Sequence, residues 1–249
     1  MDSASFMGFY LLLTGVFGAI FFGQGKLSTF FEPLSLLFIG CTVISSILLR
    51  YRFSELSAVF KTFSKVFFHK KLDYSMLISE ITKTAEVGRR DSVYVLDKAK
   101  IDDKFFGRGI LFAAQNRPVE VISAMMQIEI DTTREKLEKG IQIIEQLASD
   151  AKMLGLLGSI LRWIQLFQSN VDFNVLGGAN FASGALPWFY GALLAGVLMP
   201  MASKLKAQMQ EEITHKNIAL AGTLGIIAGE NPEFLGDKLK SFLPPGVKS

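Results

Sequence analysis

The sequence predicts an all-α, polytopic membrane protein: four transmembrane helices, with a helical cytosolic domain between the second and the third. Three observations predict it. Half of the 249 residues are apolar, 22 of them Phe, yet 20% are charged. That is too apolar for an ordinary soluble domain and too charged for a chain lying wholly in lipid. The apolar residues gather into four runs, at 6–22, at 34–49 and two between Asp150 and Lys206. The basic residues sort to one side of those runs.

The first run carries Gly8, Gly15 and Gly18, spaced for close helix contact. It lies near the short end of the roughly 17–25 residues that a span requires. The chain opens MDSASF, with no basic region and no small-residue cleavage site, so this run is expected to stay as a membrane anchor. A polar break at 23–32 follows. Pro33 then opens the second run, as Pro does at a first helical position. Gly40, Cys41 and Thr42 give that run a small face for helix packing.

Residues 50–150 are soluble in character and helical in pattern. The stretch LDYSMLISEITKTAEVGRRDSVYVLDKAKI has apolar residues at helical spacing, with a break expected near Gly88. Two further helices are expected, FFGRGILFAAQ and a long one from PVEVISAMMQ onward, with Pro118 just inside the start of the latter. The long helix runs on toward the membrane at Asp150. Its charge pairs, such as Arg134 with Glu138, read as exposed i,i+4 partners.

Between Asp150 and Lys206 lie DAKMLGLLGSILRWIQLFQS and FASGALPWFYGALLAGVLMPMASKLK. On a helix, Lys152, Gly155, Ser159, Arg162 and Gln165 share one stripe, and the opposite face is Leu, Ile, Trp and Phe. A helix apolar enough for lipid should turn such a stripe toward protein or water. After Lys206 a polar stretch reaches His215, and a more apolar one follows. The run 218–228 is short for a span and is placed against the cytosolic domain. His69 and His215 read as solvent-exposed, without a special role.

Topology follows from charge. Arg50, Arg52, Lys61, Lys65, Lys70 and Lys71 follow the second run, and Lys204 and Lys206 follow the fourth. The connections 23–32 and 169–181 hold one basic residue between them, Lys26. The positive-inside bias puts both termini and the region 50–150 in the cytoplasm. The division is then 1–49 for the first two spans, 50–150 for the cytosolic domain, 151–205 for the last two spans and 206–249 for a cytosolic tail.

Several function classes fall away. Two His and one Cys leave little for a metal site, and a lone Cys41 makes no intrachain disulfide. No Gly-rich phosphate loop follows a strand, and there is no nucleophile elbow, so nothing supports an enzyme or a bound cofactor. The central region is close to charge-balanced, which argues against nucleic acid.

The order of two helices, about a hundred cytosolic residues, two more helices and a tail reading GENPEFLGDKLKSFLPP resembles the MotA family of flagellar stator subunits. The resemblance covers nearly the whole chain. The tail is its most specific part, through Gly229, Glu230, Asn231, Pro232, Leu235, Lys238, Leu239, Phe242, Leu243, Pro244 and Pro245. FFEPLSLLFIGCTV is similar to the family's second-helix entry. RRDSVYVLD is similar to its RREGLLALE, which gives Arg89, Arg90 and Asp97 as rotor-facing charges; solvated helix charges are the plain alternative. FYGALLAGVLMPMASKLK matches the fourth span through Tyr190, Gly191, Pro200, Lys204 and Lys206, with Pro200 as a hinge or a tolerated kink. The resemblance implies an inner-membrane homo-oligomeric ring, of five copies, around a dimer of a MotB-type partner. That partner's membrane helix bears an essential Asp. Ion passage of H⁺ or Na⁺ would step the ring and push on the rotor protein FliG. It implies an ion path along Gly155, Gly158, Ser159, Arg162, Tyr190 and Gly191. The related ExbB/TolQ type, with three spans in a different order, fits less well.

The chain departs from the family pattern at chemically telling positions. Lys152 stands at a Pro, Ser159 at a Thr, Pro187 and Trp188 at a Thr pair, and Arg162 at a small residue. Ser159 keeps a hydroxyl for an ion or water. Trp188 adds bulk to a channel wall, and Pro187, one turn into its helix, would free a carbonyl. An Arg at mid-span costs about 2.5–3.5 kcal/mol unless it snorkels or finds a partner. Two readings of Arg162 stand. It alters or closes the ion path, or pairs with the B-subunit helix, whose Asp it would hold ionised; or it lies nearer the interface and reaches water. Lys152 sits at the cytosolic edge. The departures support a second reading, a MotA-like paralogue that assembles without ion flux of its own.

Overall fold

A computed structural model describes residues 3–23, 27–53, 55, 72–98, 101–168 and 178–243. The described residues are helical throughout, with no strand among them. They form α1 (Ser3–Phe22), α2 (Pro33–Arg50), α3 (Tyr74–Asp91), α4 (Lys104–Ala114), α5 (Val119–Gln168), α6 (Gly178–Gly184), α7 (Leu186–Ile227) and α8 (Pro232–Lys240). Short 3-10 turns lie at Leu27–Phe30 and Val93–Lys98. The chain divides into two compact units, Met1–His69 with Lys139–Lys206 and Lys70–Glu138 with Ala207–Ser249. α5, of 50 residues, and α7, of 42, each contribute to both.

In the first unit, α2 begins at Pro33, where a missing N–H costs nothing because first-turn donors have no helical partner. Its Ile39 and Val43 pack with Ala151 of α5, flanked by Phe38, Leu147, Leu154, Tyr190 and Leu194. Arg50, in the last turn of α2, reaches Asp150 at 2.5 Å. By length and composition Ser28–Arg50 and Leu186–Ile227 can cross a membrane, and Phe6–Phe22 is a shorter apolar helix. The end of α5 is apolar on one side, but Lys152, Arg162, Gln165 and Gln168 interrupt it.

The second unit is built as a water-soluble helical core. Asp73 caps α3 by accepting from the N–H groups of Ser75 and Met76 at 3.0 and 3.1 Å. Asp103 caps α4 through Phe105 and Phe106 at 3.0 and 2.7 Å. Such caps are worth about 1 kcal/mol each. The break expected near Gly88 comes a few residues later. α3 continues to Asp91 and stops at Ser92, whose φ is 80°. Gly88 instead admits a close neighbour, since a Cβ there would stand 3.2 Å from Leu96 Cδ1 and 3.5 Å from Ile226 Cγ2. Pro118 precedes α5 rather than opening it.

The run 218–228 completes α7 inside the second unit, with Ile218, Ala219 and Thr223 fully buried. α7 stops where Gly229 adopts φ 69° and the N–H groups of Gly229 and Glu230 turn back to the carbonyls of Ile226 and Gly225. This double closure requires a residue at ease in the left-handed region. Asn231 then caps α8 by accepting from Glu233 N–H at 3.0 Å, Pro232 opens the helix, and Leu235 and Leu239 are fully buried. Glu230 pairs with Lys238 at 2.9 Å. The tail motif is therefore a helix stop, a cap and a packed amphipathic helix. Pro244 and Pro245 lie outside the described residues.

Candidate functional site

Four of the six expected ion-path residues, Gly155, Gly158, Ser159 and Gly191, gather where α5 crosses α7. A Cβ on Gly155 would meet the Pro187 carbonyl oxygen at 2.8 Å and Gly191 Cα at 3.2 Å. One on Gly191 would run into the carbonyl oxygen of Ala151. One on Gly158 would meet Phe38 Cε1 at 2.6 Å and Pro187 Cβ at 2.9 Å. The backbones touch because these positions lack side chains, the usual use of small residues in apolar helix pairs.

Ser159 is fully buried, and its Oγ accepts the N–H of Trp188 at 3.0 Å. Trp188 is the third residue of α7, where N–H groups have no partner in their own helix. Ser159 is thus a cap supplied by a neighbouring helix. Leaving a buried donor unpaired costs about 1–3 kcal/mol, so one face of this hydroxyl is committed to fold. Pro187 corrects the expectation of a freed carbonyl: it is the second residue of α7, where no helical bond is lost. Trp188 is 51% exposed on its unit.

Arg162 has a partner that periodicity does not reveal. Its Nη2 lies 2.9 Å from Oε1 of Glu32, the residue preceding α2. Arg162 is six residues before the end of α5, about 9 Å along the axis, so it stands near a helix end. Glu32 is fixed from three other directions. Its carbonyl accepts Leu36 N–H at 3.1 Å, its own N–H donates to Tyr190 Oη at 3.1 Å, and Ser35 Oγ donates to its Oε2 in a short contact. Tyr190 Oη in turn donates to the Phe30 carbonyl at 2.6 Å. Arg162 Nε is buried without a hydrogen-bond partner. The next residue, Trp163, stacks on Phe181 of α6 and covers Gly184, where any Cβ would strike the indole.

The remaining expected residues lie apart from this crossing. Pro200 sits inside α7 without ending it. It has no N–H, so the carbonyl of Gly196, four residues earlier, lacks its helical donor; a Cβ on Gly196 would meet nothing within 4 Å. Lys152 is exposed. Arg89 and Arg90 are exposed in the last turn of α3, where cations suit the helix dipole. Arg90 pairs with Asp91 at 2.8 Å, which raises the guanidinium pKa and lowers that of the carboxyl. Asp97 belongs to the 3-10 turn at Val93–Lys98, and its side chain lies outside the described residues.

His215 is not solvent-exposed. Its side chain is 12% accessible, 3.8 Å from Asp103 and facing the Tyr74 ring. Burial pushes its pKa below the ordinary 6.5, against the pull of Asp103 and Glu212, and Lys216 adds to the lowering. His69 lies outside the described residues. Among the described residues no group of three His, Cys, Asp or Glu side chains could hold a metal.

Residues 97–218 match the model of the MotA/TolQ/ExbB proton channel family. Over its whole length the chain is 29% identical to Motility protein A of Treponema phagedenis, covering 96% of that relative. Its fold is that of the solved C. jejuni MotAB structure, with a TM-score of 0.88 at 20% identity, covering 99% of this chain and 97% of that one. The flagellar MotAB stator complex from Bacillus subtilis gives a TM-score of 0.87 at 23% identity, covering 98% and 97%.

Proposed function

We propose that the chain is a stator subunit of the MotA type, the ring-forming part of an ion-conducting, torque-generating complex. It assembles as an oligomer with a MotB-type partner in the inner membrane. The carrying observation is an end-to-end match to a motility protein, together with a motor-type fold.

The finer reading is this. Four helices cross the membrane: α1, α2, the second half of α5 and the first half of α7. Both termini and residues 50–150 are cytoplasmic, as the basic residues after α2 and in α7 favour. Five copies surround a partner dimer. The α5–α7 crossing at Gly155, Gly158, Ser159 and Gly191, with Tyr190 and Arg162 beside it, borders the ion path. Pro200 is the bending point of α7. Arg89, Arg90 and Asp97 meet FliG.

The test is co-expression with a MotB-type partner whose plug segment is deleted, while cytoplasmic pH and Na⁺ are followed. Uptake that disappears when the partner's membrane Asp is replaced supports the reading, and the ion that enters identifies H⁺ or Na⁺. Failure to form a complex with that partner sinks it. A second reading, a paralogue that assembles without conducting, is favoured by the commitment of Ser159 to Trp188 and of Arg162 to Glu32. Assembly with no uptake would select it.

A further inference from the structure

Four observations at the Glu32 end of α2 bear on what Arg162 does there. First, Glu32 does not need Arg162 to hold its position. Its backbone N–H is fixed by Tyr190 Oη at 3.1 Å, its carbonyl by Leu36 N–H at 3.1 Å and its Oε2 by Ser35 Oγ. Second, the guanidinium reaches the carboxylate through a single nitrogen, Nη2, at 2.9 Å. A side chain shaped for this carboxylate would use both prongs of its fork. Third, Arg162 Nε is buried with no hydrogen-bond partner, so the fork is received incompletely. Fourth, the pair is part-buried, with side chains 34% and 20% exposed, and Glu32 makes no other ion pair among the described residues.

A preorganised carboxylate and hydroxyl, with one positive charge delivered on a tether that fits imperfectly, is the arrangement of a cation site whose occupant is part of the chain. We propose that Arg162 is a resident counter-ion on Glu32, holding a latent site for a monovalent cation of hard character, such as Na⁺. The site's oxygens are the Glu32 carboxylate and Ser35 Oγ, with Tyr190 as the positioning residue. The charge argument selects a monovalent ion. The guanidinium supplies one positive charge to one carboxylate, and an ion that replaces it at this part-buried position matches it best with one charge, because surplus charge away from water is costly. Oxygen donors select a hard cation. The inference deepens the stator reading: while Arg162 is in place, Glu32 is not offered to inorganic cations, and that end of the α2–α5–α7 cluster is closed to them.

The test uses the full chain assembled with its B-type partner. Thermal unfolding is compared in NaCl and in N-methylglucamine chloride at equal ionic strength, so that a specific site is separated from screening. The original complex should unfold at the same temperature in both. Arg162→Gln should be restored by Na⁺ alone, with Tm rising by about 5 °C as Na⁺ passes well above its dissociation constant. Glu32→Gln combined with Arg162→Gln should lose that response, and Arg162→Lys, which keeps a tethered charge, should not acquire it. The proposal is overturned if Arg162→Gln behaves alike in both salts, if it fails to assemble even in NaCl, if the double variant responds as strongly, or if Arg162→Lys responds. Na⁺ uptake is measured on the same samples. A Na⁺-dependent Tm in Arg162→Gln with no uptake by any version leaves the latent site standing and removes the conduction reading instead.

Discussion

In the unit Lys70–Glu138 with Ala207–Ser249, Ile81, Phe106, Ile122 and Leu235 are fully buried, and charges such as Arg90 and Lys240 face outward. In the unit Met1–His69 with Lys139–Lys206 the order is inverted. Phe17, Leu37 and Leu49 are 54%, 63% and 85% exposed, while Ser35, Ala151 and Ser159 are inside. The first pattern is stabilised by taking apolar surface out of water. On the proposed reading, in which this unit lies in lipid, the second gains nothing that way, since lipid is as apolar as Leu; backbone contact, caps and polar pairs hold it together. The same substitution should therefore have different consequences in the two units.

The largest expected contrast is Phe106→Ala against Phe17→Ala. The first empties a fully enclosed site and should cost about 3–5 kcal/mol in denaturant unfolding. The second should stay within about 0.5 kcal/mol. Equal losses would break the comparison. Next comes a pair of glycines on one helix. Gly191→Ala drives a methyl into the Ala151 carbonyl and should cost about 1–3 kcal/mol, whereas Gly196→Ala meets open space and should leave the unfolding temperature in detergent unchanged or raised. Identical shifts for the two would show that the α5–α7 crossing is not tight. Smaller again, Asn231→Ala removes the α8 cap and should cost about 1 kcal/mol, read as a fall in Tm that Asn231→Ser largely avoids.

The smallest effect is a pH slope confined to the second unit. The unfolded chain protonates His215 near 6.5, and the folded chain resists to a lower pH because burial disfavours the charged ring. Stability contributed by the neutral ring is present above about 6.5 and is lost as pH falls through that value toward the folded pKa. His215→Gln should flatten the unfolding profile between pH 7.5 and 5.5; an unchanged slope would place the titration elsewhere.

The all-helical class and the entry of α2 at Pro33 were legible, because periodicity and helix-start residues are local signals; the grouping of Gly155, Gly158, Ser159 and Gly191 came from the family resemblance, since no local signal joins α5 to α7. The tail that most specifically resembled the family is, in the fold, a stop and a cap around Gly229 and Asn231, so the resemblance was read from residues that shape helices rather than from any that meet an ion. The break expected near Gly88 falls at Ser92, because Gly88 itself is used to admit Leu96 and Ile226. His215 misled because a polar stretch gives no warning that its neighbours fold over it. Glu32 was missed altogether. Its partner is 130 residues away, and no period connects them. The available signal was pairwise: one acid at the mouth of α2 and one base near the end of α5, opposite charges at the boundaries of apolar runs that topology brings to the same end.

Pro200 has a mechanical consequence. A helix resists bending because every rung of its hydrogen-bond ladder must stretch or compress together. At Gly196 one rung is absent, and the residue there has no side chain to stiffen the groove. On the proposed reading of Pro200 as the bending point, the missing rung makes this turn the softest place in α7.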